Sequence, residues 1–82
     1  MPEYIDHTAA YWREHFNLDH LPYDTATPVP FGHVVRVRSR EYCLHWHQPS
    51  ERARWGTAAE IAEDIAYLAR TGVLPPALGT RW

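Results

Sequence analysis

The stretch Cys43-Leu44-His45-Trp46-His47 concentrates the side chains most capable of chemistry. In an extended strand alternate side chains share a face, so Cys43, His45 and His47 stand on one side, each about 6.6 Å from the next. A thiolate and two imidazoles suit zinc, and catalytic zinc takes three protein ligands while keeping a fourth position open. Cys43, His45 and His47 are therefore the candidate metal ligands, and zinc is the cofactor they would take. One flat strand points its side chains in parallel, whereas a tetrahedral ion needs bonds of about 2.0–2.3 Å converging from several directions. The set needs help from elsewhere. His7, His15 and His20 are available, and His33 lies across the expected hairpin but on the opposite face. No Cys-x-x-Cys spacing accompanies the set. The simpler expectation is that no cofactor is bound and that the three residues line an outer face or an oligomer interface.

Cys43 with His45 also has the minimal composition of a Cys–His nucleophilic pair. No orienting carboxylate stands at a suitable spacing, because Glu41 is better placed to pair with Arg38. The four scattered glycines form no phosphate-binding loop. Glu60, Glu63 and Asp64 read as a solvated helix start rather than an acid–base pair. The expectation is a protein that is not an enzyme.

Charge is distributed unevenly. The first 32 residues carry Glu3, Asp6, Glu14, Asp19 and Asp24 against Arg13 alone. Residues 33–55 carry Arg36, Arg38, Arg40, Arg52 and Arg54 against Glu41 and Glu51. These five arginines are the candidate nucleic-acid contacts, since a two-stranded ribbon fits a major groove and Arg binds phosphate and guanine. Acidic flanks and a total charge of −2 argue against a charge-driven binder.

These side chains must be positioned by a small number of elements. Asp6 or Thr8 can cap a first helix running to about Asn17, with Ala9, Trp12 and Phe16 on one face. Pro22, Pro28, Pro30 and Gly32 make residues 18–32 an extended loop, with room for an edge strand near Thr27–Phe31. His33–Arg38 and Glu41–His47 both alternate around Ser39-Arg40 and read as an antiparallel β-hairpin. Val35 and Val37 are expected to share the core face with Tyr42, Leu44 and Trp46. That register pairs Val37 with Tyr42, Val35 with Leu44 and Arg38 with Glu41. Gln48–Gly56, with Pro49, reads as a loop around Trp55. Thr57-Ala58-Ala59-Glu60 is a capping box, followed by Ile61, Ile65 and Leu68 on one stripe. Gly72 suits a left-handed stop and Pro75-Pro76 forbid continuation, so an amphipathic helix is expected over Thr57–Thr71. The class is α+β, in one domain spanning residues 1–82.

A chain of 82 residues supports one modest core. Four Trp and five Tyr are many for that length and supply much buried area per residue. A single Cys excludes an intrachain disulfide. No apolar run approaches the ~20 residues of a membrane span. The first residues lack the basic and apolar regions of a secretion signal, so a cytoplasmic location and no membrane partner are expected.

By elimination the sequence points to an interaction or accessory protein that binds a protein partner or itself, as a homodimer. Its expected interface is the hairpin face carrying Arg36, Cys43, His45 and His47, together with Trp55 and Trp82, because Arg and Trp are the commonest interface hot spots. Nucleic-acid binding and metal binding are the alternatives.

Overall fold

A computed structural model describes residues 8–47 and 51–73. Two helices lie on one face of a four-stranded antiparallel sheet, an α+β arrangement. Helix α1 is Ala9–His15 and helix α2 is Ala58–Thr71. The strands are β1 (Ala26–Val29), β2 (Gly32–Arg38), β3 (Glu41–Trp46) and β4 (Arg52–Gly56), in spatial order β1-β2-β3-β4.

Each helix begins where its sequence places a cap. Thr8 accepts a hydrogen bond from the Tyr11 amide at the start of α1. The Thr57 hydroxyl accepts from the Glu60 amide while the Glu60 carboxylate accepts from the Thr57 amide, so both halves of the expected capping box are present. Gly72 ends α2 with φ 76°, the left-handed conformation that glycine adopts without steric cost. Pro75-Pro76 and Trp82 lie outside the described residues, as do Asp6 and His7.

Helix α1 is shorter than expected. Phe16 caps it, and Asn17 turns left-handed at φ 54° before a 3-10 turn at Leu18–His20. The Tyr42 hydroxyl donates to the Leu18 carbonyl at 2.6 Å, which ties this turn to β3. The proline-rich segment is an ordered approach to β1, an edge strand slightly earlier than the expected Thr27–Phe31.

The hairpin forms between the expected segments, around Ser39-Arg40, but its register differs. Arg38 does pair with Glu41. Beyond that the partners are Arg36 with Tyr42, Val35 with Cys43, Val34 with Leu44, and His33 with His45. A bulge between Arg36 and Arg38 inserts one extra residue in β2 and shifts every later pairing by one. Val34, not Val35 or Val37, therefore sits on the core face with Tyr42, Leu44 and Trp46. Of the segment expected as a loop around Trp55, Gln48, Pro49 and Ser50 lie outside the described residues, and Arg52–Gly56 is in fact a fourth strand, β4, pairing along β3 from Trp46–Arg52 to Tyr42–Gly56. Its run Arg-Ala-Arg-Trp lacks the β-branched residues that mark strands, so the ladder with β3 decides its conformation.

The core lies between the sheet and the helices. Trp12, Leu18, Val34, Tyr42, Leu44, Trp46, Ile61, Ile65 and Leu68 form one buried cluster. Gly32 is required where β2 passes β3, because a Cβ there would lie against the His45 carbonyl.

Candidate functional site

Among the described residues, helices cover one face of the sheet, and the other face carries the Cys and His side chains singled out by their chemistry. Cross-strand partners share a face, so two rows can be traced on this side. Ala26, Val35, Cys43 and Trp55 form one row; Pro28, His33, His45 and Ala53 form the next. The rows hold no carboxylate and no guanidinium. Arg38 and Glu41 pair at 3.7 Å at the hairpin-turn end, and Glu51 approaches His47 Nδ1 at 3.6 Å near the opposite end.

Cys43, His45 and His47 therefore share a face, as their alternation requires. His33 joins them, contrary to the sequence expectation that placed it on the opposite face. The same bulge that moved Val34 into the core moved His33 out of it. The His33 ring stacks on the His45 ring at 4.9 Å with an interplanar angle of 11°. His33 Nδ1 lies 3.0 Å from His47 Nε2, and Cys43 Sγ lies 3.2 Å from His45 Nε2. Burial, reinforced by the neighbouring His45 and His47, lowers the His33 pKa and favours its neutral imidazole. Burial pushes the Cys43 thiol up, so it is held protonated. A protonated thiol is a poor nucleophile. Among the described residues no three His, Cys, Asp or Glu side chains gather their donors as a formed metal centre.

Trp55 is 39% exposed beside Cys43, and Cys43 itself is 5% exposed. Trp55 thus stands on the same face as Cys43 and His45. Trp82 lies outside the described residues. Arg36 does not join this face. It sits opposite Tyr42 on the helix side, where its guanidinium donates to the Leu21 and Ser39 carbonyls and lies 4.9 Å from the Tyr23 ring centre.

The five candidate nucleic-acid arginines do not form one surface. Arg36 and Arg54 point to the helix side, and Arg38 is beside Glu41. Arg54 is paired with Asp64 of α2, and both side chains are 13% exposed. Asp64 is thus buried against the sheet and not part of a solvated helix start; its burial raises the carboxyl pKa even with Arg54 alongside. Arg40 and Arg52 remain exposed.

One feature of the surface was not legible in the sequence. Tyr11, Trp12, His15 and Phe16 of the first helix meet Pro30 and Phe31 of the β1–β2 turn and line an apolar groove. Phe31 takes φ 69°, a conformation that bulky residues seldom adopt. Pro30-Phe31 carries no glycine or asparagine to signal such a turn.

No described helix is long and apolar enough to cross a membrane. The chain matches no protein-family model, no curated protein and no solved structure.

Proposed function

We propose that this protein is a non-enzymatic interaction module that self-associates through the helix-free face of its sheet. The observation that carries the reading is the makeup of that face. Val35, Cys43 and Trp55 form an apolar row beside the His33–His45 stack, with no formal carboxylate or guanidinium charge in either row. The ionic groups, Arg38–Glu41 and Glu51, stand at its ends. An apolar centre inside a polar rim is the usual anatomy of a protein interface.

The same makeup selects the occupant. A nucleic acid requires a net basic surface, which these rows do not supply. A second copy of this face meets no like-charge repulsion across its centre, and its Arg38–Glu41 pair can meet the other copy's pair with opposite signs facing. Aromatic anchors such as Trp55 supply most of the energy at such centres. Pairing through this face would also bury it, in the manner of a sheet sandwich about 10 Å thick.

Sedimentation equilibrium of the untagged chain tests this. Twice the 9.6 kDa chain mass is expected for the wild type. A Val35→Glu variant, which places a charge in the middle of the row, is expected to sediment as a folded monomer. A wild-type monomer at all concentrations, or a Val35→Glu dimer, would overturn the reading.

A further inference from the structure

The weakness of a three-ligand set on one strand is geometric: its side chains run parallel. The β2 bulge removes that weakness by bringing His33 in from a second strand. His33 Nδ1 and His47 Nε2 are 3.0 Å apart, and Cys43 Sγ and His45 Nε2 are 3.2 Å apart. Two donors bound to one tetrahedral zinc, at about 2.0–2.1 Å for nitrogen and 2.3 Å for sulfur, stand about 3.3–3.6 Å from each other. Each pair is already close to that spacing. The two pairs are neighbours, because the His33 ring lies on the His45 ring.

We propose that His33, Cys43, His45 and His47 form a binding site for a borderline-soft divalent cation of the zinc type. His33 and His47 are its core pair. Their facing nitrogens form a hydrogen bond when no ion is present; on binding, the ion takes the place of the shared proton, which moves to the far nitrogen of the donating ring as that ring changes tautomer. His45 and Cys43 complete the shell after rotation of the half-buried His45 ring off the stack. The Cys43 thiol gives its proton to solvent on binding, so one proton leaves for each thiolate–metal bond formed. Thiol and imidazole donors select zinc over magnesium or calcium, which prefer oxygen. His47 also has a carboxylate within reach of its outer nitrogen. Its Nδ1 faces the Glu51 carboxylate at 3.6 Å, which leaves Nε2 for the ion.

This inference does not rest on self-association, because the binding is counted per chain and the Val35→Glu variant retains all four donors. The test is calorimetric titration of the metal-free full chain with zinc, paired with cobalt(II) absorption as a readout of coordination. One zinc per chain is expected, with a tetrahedral cobalt spectrum that includes a thiolate-to-metal band. His33→Ala is expected to weaken zinc binding at least about tenfold, the scale on which zinc sites respond to loss of supporting groups, and Cys43→Ser to abolish the thiolate band. His47→Ala, at an exposed position, repeats the test if His33→Ala does not fold. Zinc binding that is absent from the wild type, or unchanged in both folded histidine variants, would overturn the proposal. A cobalt spectrum without a thiolate band would overturn the part assigned to Cys43.

Discussion

His33 of β2 and His45 of β3 face each other directly across the ladder, and their rings stack 4.9 Å apart on the helix-free side of the sheet. This pairing exists because one extra residue is accommodated between Arg36 and Arg38. Without that bulge, the alternation of β2 would send His33 toward the helices and Val35 to the core. The bulge thus assembles the histidine face and seats Val34 beneath the helices in one step. It follows that the bulge, more than any one imidazole, positions the candidate site.

The face predicts a separation of fold from association. Trp55→Ala removes a ring that is 39% exposed and otherwise packed on the sheet, so thermal stability is expected to fall by about 1–2 kcal/mol while the chain stays folded. Dimer affinity is expected to fall by about 2 kcal/mol or more, the scale of an interface hot spot. Circular dichroism melts and a sedimentation dilution series measure the two separately. Loss of the fold would return Trp55 to a structural role.

Arg54 and Asp64 tie β4 to α2. Asp64→Ala leaves a mostly buried guanidinium with only the longer Glu60 contact at 3.9 Å, and is expected to cost about 2 kcal/mol. The double variant Arg54→Leu/Asp64→Leu removes both charges and is expected to recover most of that loss. Denaturant unfolding of the three proteins checks this. Equal losses in the single and double variants would contradict it.

Thr57→Ala breaks one half of the capping box and is expected to destabilise the protein by about 1 kcal/mol. Thr57→Ser retains the hydroxyl and is expected to remain close to wild type. The midpoint of urea unfolding at constant slope gives both values.

Asp19 supplies a pH-dependent contribution. The hydrogen bonds and charge of Arg13 hold its carboxyl below the ordinary range, so its folded pKa lies below its unfolded value. A depressed carboxylate stabilises the fold fully above the unfolded value of about 3.9, and the contribution is lost as pH falls through the folded pKa. The pair is exposed to solvent, which limits it to about 1 kcal/mol at most. Asp19→Asn is therefore expected to be less stable than wild type at pH 7, with the gap closing below about pH 4. A gap that persists in acid would assign the effect to something other than charge.

Much of the local structure was legible because it rests on short-range chemistry. The Thr57–Glu60 capping box and the Gly72 stop are encoded within four residues of each helix end, and both formed as expected. The Arg38–Glu41 pair flanks a turn whose position the alternation reveals. The misread features depend on longer-range contacts. Val35 and Val37 alternate as well as Val34 and Arg36 do, and only packing of Val34 under the helices separates the registers. Strand β4 was hidden because Arg52, Ala53 and Arg54 have weak strand preference and become a strand by pairing with β3. For the same reason Cys43, His45 and His47 could be grouped from their spacing, whereas His33 could not.

In the proposed dimer the Trp55 row of one copy meets the same face of another. Isotope-filtered nuclear Overhauser measurements on a mixture of labelled and unlabelled chains test this contact directly. Intermolecular contacts are expected from the Trp55 ring and the Val35 methyl groups to this face of the other copy, and are expected to be lost in Val35→Glu. Intermolecular contacts found only at the Tyr11–Phe31 groove, or none at concentrations approaching a millimolar, would contradict it.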